Sequence, residues 1–152
     1  MRQLPILLLL ACTIGCNTPT RYTFDVSVKN AASQPITVGF TKTGPPPERG
    51  WAAPEDFSNA PPSRMPGNWG EIVEPGKTAS VRISGSFYRG VTAVLRVYIG
   101  DRPLADLLAM SRGTGDRIDL GLVPGPDNTF IITDPHGRLI GRAQNVRNIP
   151  RE

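Results

Sequence analysis

Cysteine is nearly missing from this 152-residue chain, occurring at positions 12 and 16 and nowhere else. That excludes a disulfide framework, because a bond between two residues so near each other and so near the N-terminus would close a tiny loop and staple nothing. Histidine is scarcer still, with His136 alone. A zinc site needs several nitrogen or sulfur ligands, and a Ser-His-acid triad would have to use this one imidazole, which falls in a predicted turn far from any nucleophile-elbow pattern. Excess charge is also small: 17 basic against 13 acidic residues gives +4, or +3 once a leader carrying Arg2 is subtracted, 16 minus 13. No basic stripe interleaved with aromatics accompanies it, so no nucleic-acid partner is expected. Beyond the N-terminal segment no stretch of a dozen residues keeps a helical period, which argues against a helical domain.

What is present begins at the N-terminus. Arg2 is followed by Leu4, Pro5, Ile6 and the run Leu7 to Leu10, then by small residues ending at Cys16. An apolar stretch of this length is short for a permanent spanning helix and suits the core of a signal peptide. With its cysteine after a small residue, the leader resembles that of the bacterial lipoprotein class, in which such a cysteine becomes lipidated and N-terminal after cleavage. Two registers fit: Thr13, Ile14, Gly15, Cys16, and Leu9, Leu10, Ala11, Cys12. The first leaves a full-length apolar core and is preferred; Cys12 stays as the alternative.

The resemblance implies an exported protein held by acyl chains, each contributing about 0.8 kcal/mol per buried CH₂. Its partner would be membrane lipid through the acylated cysteine, with palmitate as one such chain. Asn17 in place of aspartate implies no inner-membrane retention, hence an outer-membrane location facing the periplasm in a Gram-negative cell. The expected division is a signal peptide over 1–15, a tether over 16–20, one domain over 21–143 and a tail over 144–152. So short a tether reaches roughly 14 Å when fully extended, which keeps the domain at the membrane surface.

The domain reads as all-β. Glycine and proline number 16 each, enough to signal frequent turns without reaching the level of a disordered chain. Residues 21–30 alternate, with Tyr22, Phe24, Val26 and Val28 on one face, and Ile36, Val38 and Phe40 repeat the period, so the pair is expected to form an antiparallel hairpin. Glu74, Pro75, Gly76 and Lys77 suit a type II turn into a strand carrying Ala79, Val81 and Ile83. The nearly unbroken apolar run 91–99 predicts a central strand covered on both faces. Ile118, Leu120 and Leu122 predict another strand, and Phe130 to Thr133 a further one. Asp134, Pro135, His136 and Gly137 suit a type I turn before Leu139 and Ile140. Residues 103–110 fit either a short helix or a strand; the strand is preferred because its neighbours are strands. Seven to nine short strands imply an antiparallel β-sandwich, loosely immunoglobulin-like.

One stretch breaks the pattern. Residues 43–70 hold seven prolines and both tryptophans in a loose repeat, Pro46, Pro47, Arg49, Gly50, Trp51 and then Pro61, Pro62, Arg64, Gly67, Trp69. Long structureless connections are usually functional or disordered. As a recognition loop, Arg49, Trp51, Phe57, Arg64 and Trp69 would be its contact residues, Trp and Arg being favoured anchors and proline lowering the entropy lost on ordering. Alternatively Trp51, Phe57 and Trp69 fold back to cover an open end or edge of the sandwich.

Little else carries chemistry. Asp101, Asp106, Asp116 and Asp119 lie near one another in sequence without calcium-loop spacing. Gly113 and Gly115 mark a turn, because no phosphate-loop lysine follows. Arg138, Arg142, Arg147 and Arg151 recur every four or five residues, as a solvated surface or an anion-facing one. No cofactor and no metal are expected. The sequence points to a membrane-anchored, non-catalytic β-sandwich binding a protein, glycan or other envelope component through 43–70. The alternatives are a structural or assembly accessory of the envelope and, last, a carboxylate-dependent enzyme.

Overall fold

The computed structural model describes residues 18–44, 48–59, 69–110 and 115–144. Among them eight strands form two four-stranded sheets packed face to face. The first sheet runs β4 (Thr78–Phe87), β1 (Thr20–Asn30), β7 (Gly125–Thr133), β8 (Ile140–Ala143). The second runs β3 (Glu71–Val73), β2 (Ile36–Lys42), β5 (Ala93–Ile99), β6 (Arg117–Gly121). All neighbours are antiparallel except β1 and β7, which run parallel. The fold is thus an all-β sandwich, as the alternation of the sequence implies. Phe24, Val26 and Val28 of β1 face Ile36 and Val38 of β2 and Leu95 and Val97 of β5 across one core.

Three local expectations are corrected. β1 and β2 are not a hairpin, because they lie in opposite sheets. The fully buried Asn30 turns the chain across instead: its amide donates to the Val73 carbonyl at 2.7 Å and the Gln34 carbonyl at 3.0 Å, and its Oδ1 accepts from Ala32 N–H at 2.9 Å. Residues 103–110 are not a strand but contain the helix α1 (Leu104–Ala109). Pro103 lacks an N–H and precedes the first turn in extended conformation, which suits a helix start, and Leu104 and Leu107, three apart, bury one face. The turn at Asp134 closes with Gly137 N–H on the Asp134 carbonyl at 3.0 Å, yet His136 sits at φ 57°. A left-handed third residue departs from the type I turn that the sequence suits.

The turn at Glu74 is as expected, with Gly76 at φ 77° and Lys77 N–H on the Glu74 carbonyl at 3.0 Å. β5 is central and buried on both faces. On its outer side Tyr98 packs with Leu104 and Leu107 of α1 and with Trp69, and Arg96 reaches the 3-10 turn Pro54–Phe57 through Glu55.

Candidate functional site

The proline-rich connection from β2 to β3 leaves the sandwich at Thr43 and returns at Glu71. A turn with Gly50 at φ 85° and Trp51 N–H on the Glu48 carbonyl, 2.8 Å, swings Trp51 inward. Its indole, 1% exposed, meets Phe24, Phe40 and Phe87 edge-on at 5.4, 5.9 and 5.1 Å and donates to the Ser84 carbonyl at 3.0 Å. The ring lies on Gly85, where a Cβ would stand 2.5 Å from its nitrogen. Trp69, 7% exposed, lies on the other side of β2, its ring over Gly39 and at 5.6 Å from Tyr98, with its N–H on the Ala52 carbonyl at 2.8 Å. The two tryptophans therefore grip opposite faces of the second sheet and its partner. Phe57 is half-buried against Trp69's cluster and Arg49 is exposed. Arg64 lies outside the described residues, as do Cys12, Cys16, Arg147 and Arg151.

Lys42 and Glu48 fasten the start of the loop to β4. The ammonium, its side chain 3% exposed, pairs with Glu48, donates to the Ser86 carbonyl at 2.7 Å and lies 4.7 Å from the centre of the Phe87 ring. Glu48 also accepts from Ser86 N–H at 3.0 Å. The hydrogen bond from Lys42, reinforced by that from Ser86, holds the Glu48 carboxyl below the usual glutamate range.

Farther on, Arg96 and Arg117 share two carboxylates. Arg96 donates to Glu55 at 2.6 Å and Asp119 at 3.1 Å, and Arg117 donates to Glu55 at 3.1 Å and Asp119 at 2.8 Å. This closed set of two positive and two negative charges clamps the 3-10 turn onto β5 and β6. Tyr98 is wholly buried beneath it, its hydroxyl without a hydrogen-bond partner among the described residues. Burial pushes its phenol up, against the pull of the two guanidiniums.

The feature left open is a cleft. β4 is ten residues long, whereas β3, the edge of the facing sheet on that side, has three. The apolar row that β4 turns inward is therefore incompletely covered, and Val81 remains 37% exposed. Behind it lies an apolar cavity of about 360 Å³, walled by Val26, Val38, Ile83 and the loop residues Gly50, Phe57 and Trp69. A volume of ~300–1,000 Å³ with apolar walls is typical of ligand sites. The second cleft, between β6 and β8, is larger at about 660 Å³ and lined in part by His136 and Arg138; His136 itself is exposed.

The carboxylates do not converge. Asp101 and Asp106 are exposed, Asp119 belongs to the arginine clamp, and no group of three His, Cys, Asp or Glu among the described residues could hold a metal ion. No helix among them is long and apolar enough to cross a membrane. Arg138 and Arg142 are exposed near the β8 edge.

Sequence reasoning finds the loop and its aromatics but misses the cleft. The signal that could reveal it is Ile72 and Val73 just before the Pro75-Gly76 turn, which mark a very short strand next to a long one. No family model matches the chain, and comparisons with curated proteins and with solved structures return no match.

Proposed function

We propose that this protein is a lipid-anchored, non-catalytic β-sandwich of the cell envelope that binds a protein partner in the cleft between β4 and β3, with Gly50, Phe57 and Trp69 of the loop on one wall. The observation that carries this is the apolar cavity left by two edge strands of unequal length, with Val81 standing at its mouth. Because Trp51 and Trp69 are buried, the loop acts by shaping this wall, and the indoles are not themselves the contact surface. The same burial favours a second reading, an accessory protein of the envelope whose loop only completes the fold.

A photo-activated crosslinking residue at Val81 in membranes of expressing cells distinguishes them. A discrete protein adduct from position 81, with none from the exposed Ile140 on the far edge strand, is expected. Equal labelling from both positions, or none from either, supports the accessory reading. The anchor rests on the leader, and incorporation of labelled palmitate tests it: Cys16→Ser should abolish labelling and Cys12→Ser should not.

A further inference from the structure

We infer that the cleft takes an extended peptide, with apolar side chains at alternate positions, which adds a strand to the open half of β4. This rests on the partner-binding reading above and specifies the chemistry of the partner. β4 pairs with β1 without a break, from Thr20 opposite Phe87 to Lys29 opposite Thr78. In an antiparallel ladder successive residues turn their main-chain groups alternately toward and away from the partner. Asn30 N–H on the Lys77 carbonyl, 2.9 Å, marks the odd-numbered residues as those facing β1.

The even-numbered residues face outward, and at the upper end side chains of the loop and of the last residue of β2 satisfy them. The Trp51 indole donates to the Ser84 carbonyl, while Glu48 and Lys42 take the Ser86 N–H and carbonyl. The loop thus mimics a neighbouring strand along half of this edge. At Ser80 and Arg82 no described strand pairs with the corresponding groups. Each offers a donor and an acceptor at the spacing of a further strand.

The odd-numbered side chains, Ala79, Val81 and Ile83, line the cleft from the same stretch. An added strand paired at Ser80 and Arg82 places every second side chain on that inner face, into an apolar cavity whose charged groups, Glu71 and Arg82, belong to exposed residues. Both halves of the site are satisfied together only by a peptide. An acyl chain fills the cavity but leaves the edge unpaired. A second folded copy pairs with the edge but sends no free strand into the cavity, since its own β4 is already held in the ladder with its own β1.

The test uses the purified full chain and a labelled synthetic peptide of alternating threonine and valine flanked by lysines, measured by fluorescence anisotropy. The added strand is antiparallel to β4, so with valines inward the threonine main chain faces β4. The peptide N-methylated at its valines is expected to bind, and the same peptide N-methylated at its threonines to bind at least about tenfold more weakly, the two having equal composition. Val81→Lys, compared at a temperature below the thermal midpoints of both variant and parent, is expected to weaken binding at least about tenfold. Equal binding of the two methylated peptides overturns the inference, as does undiminished binding to Val81→Lys. A concentration-dependent dimer lost in Val81→Lys, with no peptide bound, assigns the edge to a second copy and also overturns it. If no peptide binds while the crosslink from position 81 persists, strand addition fails and the partner-binding reading stands. Peptide binding without a crosslink does the opposite: it supports strand addition and removes the protein partner in the membrane.

Discussion

Two glycines decide where the loop can lie. Gly39 and Gly85 sit under the rings of Trp69 and Trp51, so a methyl group at either position would occupy space the indole already fills. Overpacking of this kind typically costs about 1–3 kcal/mol. Gly39→Ala and Gly85→Ala are therefore expected to lower stability by that amount in urea unfolding, each perturbing the fluorescence of its own tryptophan. Acrylamide quenching of both indoles in the parent protein is expected to be weak, because neither is exposed. The charged latch beside them has a direction in pH. Glu48 is held below its ordinary value of 4.5, so its contribution is fully present above that value and is lost as pH falls through the lower folded one. Glu48→Gln should flatten the acid side of the stability profile. At neutral pH it should cost about 1–3 kcal/mol, since Lys42 stays buried without its counter-charge. Parallel urea titrations of parent and variant between pH 7 and pH 3 check both.

At the scale of elements, side-chain amides direct the chain between sheets. Asn30 organises the crossing from β1 to β2, and Asn128 organises the one from β6 to β7, accepting from Val123 N–H and donating to its carbonyl, both at 2.8 Å. Asn30→Ala strands buried main-chain groups and is expected to cost at least about 1–3 kcal/mol by thermal or urea unfolding, whereas Asn128→Ala, whose partners on Val123 are only part-buried, is expected to cost less. The arginine clamp is asymmetric. Asp119 is nearly buried between two guanidiniums whereas Glu55 is half-exposed, so Asp119→Ala is expected to cost about 3–5 kcal/mol and Glu55→Gln at most about 1 kcal/mol. These contacts also explain which elements are legible in the sequence. The strand faces of β1, β4 and β6 follow from alternation within a few residues. The crossing at Asn30 does not, because its partner carbonyl on Val73 is 43 residues away, and local alternation beside a short connection reads equally well as a hairpin. α1 resembles a strand in sequence because two leucines three apart are too few to set a period; the surface they cover, Tyr98 and Trp69, comes from elsewhere in the chain. The loop aromatics are visible by type, but their destination is not, since Gly39 and Gly85 look like any strand glycines. The cleft is the least legible feature. It arises from the lengths of two strands in different sheets, which no local window compares.

For the whole molecule, the proposed anchor and the fold together set an orientation. Cys16 precedes the first residue of β1 by four positions, so a lipid there brings the Thr20 end of the sandwich to the bilayer. Thr20 pairs with Phe87 and Lys42 reaches Ser86, which places the connections after β2, β4 and β6 at that same end. The last of these carries Val123, 64% exposed, and Arg21 in the ladder and Arg89 just after β4 are exposed, a composition compatible with an anionic interface. β1 spans eleven residues, roughly 35 Å at about 3.3 Å per residue. With the proposed anchor, the Glu74 to Lys77 turn, and with it the open half of β4, would stand away from the membrane, where a partner can approach. The scarcity of cysteine makes this measurable: with Cys12 removed in the leader and Cys16 acylated, an introduced thiol is the sole labelling site. In vesicles containing brominated lipid, a fluorophore on Val123→Cys is expected to be quenched several-fold more strongly than one on Lys77→Cys. Starting the chain at Asn17, without leader or acylated cysteine, should abolish quenching at both positions. Equal quenching at 123 and 77 would mean that the sandwich lies on its side, and the open half of β4 would then not be held away from the bilayer by the anchor.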